Sequence, residues 1–430
     1  MRVPTGARRT TLAGGTALLL TLALAPSAGA HTPHPAGDRG SLVLVGGGLK
    51  ADNTQVYGEI IKRAGGASAK IGVITASSVP ASQDPHAADP DTCSNSECNG
   101  AYYAGLLEQH GAADAQWIPV DLDHIANADS DEVVRQVNSM TGFFFGGGDQ
   151  YRYITTLLHG AAHTDSKVLA AIRAGLAAGA VVSGSSAGAQ IAAGADMVTG
   201  GDSYEGLRDG SSPGYFDDPS RLGYLRAGGF GFVRSGLIDT HTGAYGREGR
   251  AMRLAADTGH DRVYALEENT ALIVEAPRTP NERLRVLGPQ GVAVLDLRRA
   301  RAGHGPSGAW SLDGVRYDYL TDGDRYDPTH WRVQPAAGKR PLVPSSASPV
   351  PVNPDVFHSA ANPAGVPSSF LGTARALAAT SAQRTATGHT FEGGPRFTVT
   401  FGKRPGFTGW TRDGATPQTL IGLHITVTAD

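Results

Sequence analysis

Gly184-Ser185-Ser186-Ala187-Gly188 follows the small and apolar run Gly179-Ala180-Val181-Val182-Ser183 and leads into a helical pattern. Gly-x-Ser-x-Gly between a strand and a helix is an arrangement that turns a serine hydroxyl into a nucleophile. The glycines clear β-carbons from a tight, strained turn, and the N–H groups at the helix start face the place where an oxyanion would develop. Ser186 takes the nucleophile slot and the N–H of Ala187 becomes a donor. A serine needs a base. Of the 14 histidines, most sit in polar loops, but His241 follows the apolar segment Gly236-Leu237-Ile238 and precedes Arg247 and Arg250. A neutral imidazole with an ordinary pKa of about 6.5 can take the hydroxyl proton near neutral pH.

The third member of such a relay is a carboxylate that orients the imidazole. Asp202 and Glu205, in Gly200-Gly201-Asp202-Ser203-Tyr204-Glu205-Gly206, are the candidates, with Glu205 preferred. Gly146-Gly147-Gly148-Asp149-Gln150 follows three phenylalanines and offers the remaining oxyanion donor from the backbone of Gly147 or Gly148. The same turn would suit a phosphate, but the chain has neither a Walker lysine nor a complete dinucleotide fingerprint.

These residues must be held by the elements around them. Ser41–Lys50, Ala69–Pro80, Thr141–Gln150 and Gly179–Gly194 each read as an apolar strand running into small residues. Amphipathic helices are predicted between them, around residues 53–65, 101–111, 131–140 and 165–179, and after Asp149, which is placed to cap its helix. Buried strands alternating with helices predict a doubly wound, mainly parallel α/β sheet whose strand carboxyl ends carry the site. Residues 262–276 and 283–297 read as strands of a hairpin-rich portion, and this unit, 41–328, ends near Pro328. Residues 329–370, rich in Pro, Ser and Ala, read as a linker. Residues 371–430 alternate like short strands and predict a small β-rich extension, either a polymer-binding surface built on Phe397, Phe401, Phe407 and Trp410 or a packing flap.

At 430 residues, 40% hydrophobic and 18% charged with a net charge of −3, the chain is globular and has no electrostatic case for nucleic acid. Arg2, Arg8 and Arg9 precede the apolar run 16–25 and the small residues ending at Ala30. That is the layout of a secretory signal peptide (1–30), and the run is too short for a membrane span. Secretion follows as an expectation, with no span left after cleavage. The two cysteines, Cys93 and Cys98, then read as a disulfide in a polar loop, and no metal site is predicted.

In order along the chain, Phe143-Phe144-Phe145-Gly-Gly-Gly-Asp-Gln, Gly184-Ser-Ser-Ala-Gly-Ala, Gly200-Gly-Asp-Ser, Asp239-Thr240-His241 with its two arginines, and Ala265-Leu-Glu-Glu-Asn-Thr-Ala-Leu-Ile-Val resemble the cyanophycinase and dipeptidase E family of serine peptidases. The resemblance spans roughly Ser41 to Pro328. It implies a flavodoxin-like or glutamine-amidotransferase-like fold and a serine–histidine–acid triad without cofactor. The implied substrate is cyanophycin or another β-aspartyl peptide, cut to β-aspartyl-arginine, and a homodimer is compatible with it. It also implies that Gln150, Asp239, Arg247 and Arg250 line the substrate pocket. Two positions depart from the pattern: Thr240 stands where a glutamine is usual, and Tyr245 where an arginine is. The alternatives are an α/β-hydrolase-type esterase, an aspartyl dipeptidase, or an inactive binding protein of the same fold.

Overall fold

A computed structural model of the chain describes residues 40–429 apart from 217, 219, 306 and 415. The signal segment predicted for residues 1–30 lies outside the described residues.

Five strands, β1 (Ser41–Val45), β2 (Lys70–Ile74), β3 (Asp114–Trp117), β4 (Gly142–Phe145) and β5 (Val181–Ser185), pair in parallel in the order β3-β2-β4-β5-β1. The predicted parallel sheet is therefore present, with helices on both faces. Successive side chains of a strand point to opposite faces. Phe143 and Phe145 accordingly enter one apolar cluster, with Ile154, Leu169 and Ile172, while Phe144 enters another, with Tyr57, Ile60 and Leu107. The helices start on side-chain caps: Asn53 accepts from the N–H of Val56, Asp149 from that of Tyr151 and Ser166 from that of Leu169. Beyond β1 the sheet continues with four antiparallel strands, Ala271–Glu275, Arg283–Leu287, Arg325–Asp327 and Arg332–Gln334, so it is mixed.

A second, ten-stranded sheet begins with β6 (Leu237–Asp239) parallel to β7 (Arg262–Leu266). It continues antiparallel through Gly291–Asp296, Trp310–Thr321, Thr419–Ala429, Phe397–Gly402 and Thr385–His389. This corrects the predicted domain division. Residues 371–430 do not form a separate small extension, because Thr419–Ala429 pairs along Trp310–Thr321 in the middle of the sheet. Nor is 329–370 simply a linker, since Arg332–Gln334 closes the edge of the first sheet. Phe397 and Phe401 are fully buried, and Phe401 packs on Phe370 of the helix Ser369–Ala379. Two of the four aromatics read as a polymer-binding surface are thus core.

The chain also changes sheet where the sequence suggests a hairpin. Arg262–Leu266 lies in the second sheet and Ala271–Glu275 in the first, so Glu267-Glu268-Asn269-Thr270 crosses between them. Among the described residues no helix is long and apolar enough to cross a membrane. Cys93 and Cys98 form a disulfide at the start of the helix Ser96–Gln109.

Candidate active site

Four glycine-rich or small-residue turns leave the carboxyl ends of β1, β4, β5 and β6 and meet at one place. Ser186 stands one residue past β5 at φ 54°, ψ −118°, a left-handed conformation that a serine adopts only when held there. Its N–H donates to Val45 O at 3.0 Å, which carries the β1–β5 register into the turn. Both motif glycines are needed for space. A Cβ on Gly184 would lie 2.2 Å from Gly188 O, and one on Gly188 would lie 2.1 Å from Phe145 O.

The Ser186 hydroxyl lies 2.7 Å from His241 Nε2, and His241 Nδ1 lies 2.6 Å from Glu268 Oε1. The acid on the imidazole is therefore Glu268, and the preference for Glu205 or Asp202 is corrected. Glu205 lies on the short helix Ser203–Asp209, in a cleft of about 460 Å³ whose lining includes Asp202, Tyr245, Arg247 and Glu392. Burial, together with the neighbouring charges of Asp202 and Glu392, raises its carboxyl above the usual range. Glu268 belongs to the motif Ala265–Val274 that carried the family resemblance. Nothing in the strand pattern shows that this turn crosses between sheets to reach the histidine.

The β1 turn is the floor of this relay. The His241 N–H donates to Gly46 O at 2.7 Å, and the Asn269 N–H to Gly47 O at 2.7 Å. A Cβ on Gly47, at φ 104°, would lie 2.1 Å from His241 Cε1. On Gly48 it would lie 3.0 Å from Glu268 Oε2. Asn269 Oδ1 in turn accepts from Asn53 Nδ2 at 2.8 Å and from the Lys50 N–H at 3.1 Å, which fixes the crossing to the turn after β1.

Burial holds His241 below its ordinary pKa; the hydrogen bond to Glu268 offsets this in part, and the Arg247 charge adds to the lowering. The imidazole is thus neutral at neutral pH. It donates from Nδ1 to Glu268 and accepts the serine proton at Nε2. Tyr245 stacks over the ring with centroids 5.1 Å apart, and the Arg247 guanidinium lies 4.8 Å from the Tyr245 ring centre.

Gly147 sits against the serine: a Cβ there would lie 3.3 Å from Ser186 Cβ. The turn is shaped by Ser77, whose hydroxyl donates to Gly147 O at 2.8 Å, and by the Tyr153 hydroxyl, which donates to Gly146 O at 3.0 Å. Gly148, at φ 142°, packs so closely on Ser77 O that a Cβ would come within 2.4 Å. Among the described residues the N–H groups of Gly147 and Ala187 meet no protein acceptor, which leaves them available to an oxyanion.

The residues matched to a substrate pocket behave differently from one another. Arg250 and Asp239 form a buried bidentate ion pair at 2.6 and 2.8 Å, and Arg250 Nη1 also donates to Gly201 O at 2.7 Å. Both side chains are buried and their charges serve each other, so the expectation that they line the substrate pocket is corrected. Gln150 donates its amide to Thr199 O at 3.1 Å and braces that strand. Arg247 lines the cleft while donating to Thr240 O at 2.9 Å, and burial pushes its guanidinium down to about 10. The Thr240 side chain is buried, whereas Tyr245 is exposed.

Residues 94–279 match the model of peptidase family S51, a segment that contains Ser186, His241 and Glu268. Cyanophycinases from Synechococcus elongatus and Thermosynechococcus vestitus are each 28% identical over 311 residues, covering 70% of this chain and 84% of theirs. Among solved structures, a peptidase from an acI-B1 Actinobacterium is similar at 19% identity over 67% of this chain and 96% of its own, with a TM-score of 0.43. The chain is a serine-type peptidase, and its matches to the S51 model and to two cyanophycinases support a cyanophycinase and peptidase E-like relationship.

Proposed function

We propose that the chain is an exported serine exopeptidase that cuts cyanophycin, or a related β-aspartyl peptide, to β-aspartyl-arginine dipeptides. The observation that carries the reading is the unbroken chain of hydrogen bonds Ser186–His241–Glu268. In the forward step Ser186 Oγ attacks the scissile carbonyl while His241 Nε2 takes the hydroxyl proton. The N–H groups of Gly147 or Gly148 and of Ala187 receive the negative charge that develops on the carbonyl oxygen. His241 then gives the proton to the leaving amine as the C–N bond breaks, leaving an acyl-enzyme on Ser186. Water, activated by the same imidazole, releases the acid product and restores the serine. Glu268 holds the tautomer and stabilises the imidazolium between the two transfers. No step calls on a metal or an organic cofactor.

The substrate class is supported by the two relatives named cyanophycinase, whose lengths the chain largely spans. Export is supported by the basic start, apolar run and small residues of positions 1–30. The test is incubation of the mature protein and its Ser186→Ala variant with insoluble cyanophycin, followed by mass spectrometry of the soluble products. Release of β-aspartyl-arginine by the parent alone is expected. Hydrolysis of isoaspartyl dipeptides without release from the polymer would replace cyanophycin by small β-aspartyl peptides. The amino-terminal residue of protein recovered from culture medium tests export: a start near His31 is expected, and retention in the cell overturns it.

A further inference from the structure

The loop after His241 is held from two sides by segments far apart in the chain. On one side, the Gly243 N–H donates to Glu267 Oε2 at 2.9 Å, and Glu267 is the neighbour of the acid that grips the imidazole. On the other side, Gly243 O accepts from the Ser368 N–H at 2.7 Å and Ala244 O from His358 Nδ1 at 3.0 Å. A Cβ on Gly243 would lie 2.5 Å from Ser368 Oγ, and one on Gly246 would lie 1.5 Å from Phe357 O. At these two glycines loop and segment are in direct contact, and beside them the two line the same cleft.

The segment itself is anchored to the second sheet. Asn353 is bonded twice to the strand Thr385–His389, its N–H donating to Thr387 O at 3.0 Å and its O accepting from the His389 N–H at 2.7 Å, and the Val356 N–H donates to His389 O at 2.8 Å. The helix Ser369–Ala379 that follows buries Phe370, Leu371, Ala374 and Leu377, and Arg375 lies over the Tyr319 ring at 5.2 Å. Rigid sheet therefore stands behind each contact to the loop.

We propose that residues 355–370 are a positioning element for catalysis, with His358 the positioning residue: its hydrogen bond to Ala244 O, with that of Ser368 to Gly243 O, holds the His241 loop in register with Ser186. The inference rests on the reading of Ser186 and His241 as nucleophile and base. It goes beyond that reading by giving the carboxyl-terminal third of the chain a part in the reaction. The loop's other bonds are internal (the Tyr245 N–H to His241 O at 3.0 Å, the Arg247 N–H to Thr242 O at 2.8 Å) or run from Thr242 to Leu266 O at 3.2 Å and from Ser203 Oγ to Gly246 O at 2.5 Å. Toward residues 355–370, Gly243 and Ala244 are therefore held by Ser368 and His358. A one-sided release lets the imidazole drift, and small displacements of a general base slow proton transfer steeply.

The test uses the full mature chain and a small, uncharged fluorophosphonate, which needs the relay but does not fill the cleft lined by Phe357 and His358. The second-order rate of Ser186 labelling is measured per folded molecule, beside the Tm of each variant. His358→Ala is expected to slow labelling by about tenfold, the scale of one lost buried hydrogen bond. His358→Asn, which restores a donor and tolerates the φ of 49° at this position, is expected to recover most of the rate. Should the alanine variant fail to fold, His358→Asp has the shape of asparagine without the amide donor and is expected to behave as alanine does. A lowered Tm with labelling unchanged in the donor-free variant would overturn the proposal and leave His358 as packing. Absence of labelling at Ser186 in the parent would overturn the catalytic reading itself, and this proposal with it.

Discussion

Glu268 and Glu205 separate the geometry of the relay from a guess based on nearness in sequence. Glu268→Gln keeps the shape and removes the charge that steadies the imidazolium, so kcat is expected to fall by about 10³–10⁴-fold with the fold unchanged. Glu205→Gln, which has no contact with His241, is expected to leave single-turnover acylation of a small activated ester within about twofold of the parent. Steady-state kinetics beside circular dichroism checks both. The pH dependence follows from the environment of His241, which is held below its ordinary pKa chiefly by burial. The base form then persists below about pH 6.5, and the acid limb of kcat/KM is expected there. The Arg247 charge opposes the imidazolium, so Arg247→Met removes a charge that lowers the pKa and is expected to shift that limb to higher pH. A limb that stays in place or moves to lower pH would contradict the assignment.

At the scale of elements, the site is where strand ends and a sheet-to-sheet crossing converge. The parallel strands and their glycine turns were legible because buried strands are apolar throughout and end in small residues. Ser186 and His241 were legible because each directly follows such a strand. Glu268 was not, because the strand pattern reads the same whether two consecutive strands pair with each other or join different sheets. Asp239 and Arg250 were misread for a related reason: sequence shows two charges beside a histidine but not that they neutralise each other beneath it. Removing one partner of that pair leaves a buried charge alone, so Arg250→Ala is expected to cost about 3–5 kcal/mol in urea unfolding. An increase in KM at full stability would instead restore the substrate role. Gly47→Ala places a Cβ 2.1 Å from His241 Cε1. Its kcat is expected to fall by roughly 10²-fold, the scale of a misplaced catalytic group.

In the whole molecule, the carboxyl-terminal strands complete the second sheet and its core. A chain ending at Pro328 would strip Thr419–Ala429 from Trp310–Thr321, lose Phe370 and Leu423 from the core and uncover Tyr317 and Tyr319. Such a chain is expected to be insoluble or molten, as judged by dye binding and near-ultraviolet circular dichroism; a cooperatively folded truncation would restore the separate-domain reading. The sequence pattern showed strands in this region, but strand patterns carry no address for the partner they pair with. Glu267, between the histidine loop and this carboxyl-terminal part, has its carboxyl pushed up to about 7 by burial. In an unfolded chain a glutamate ionises near pH 4.3. Between those values the folded state binds the extra proton, so stability falls as pH rises from about 4.3 to about 7. Glu267→Gln retains an acceptor for the Gly243 N–H but does not titrate. Its Tm is expected to gain on the parent's by about 2 °C or more across that window in scanning calorimetry. A constant difference would show that the carboxyl does not titrate there.

The central claim is that Ser186, His241 and Glu268 act as one relay. Its most direct test is peptide mass mapping of fluorophosphonate adducts, with labelling rates, on the parent, Ser186→Ala, Glu268→Gln and Glu205→Gln. A single adduct on Ser186 is expected, with none in Ser186→Ala, strongly slowed labelling in Glu268→Gln and near-parental labelling in Glu205→Gln. An adduct on another serine, or slowing by the Glu205 substitution and not by the Glu268 substitution, would contradict it.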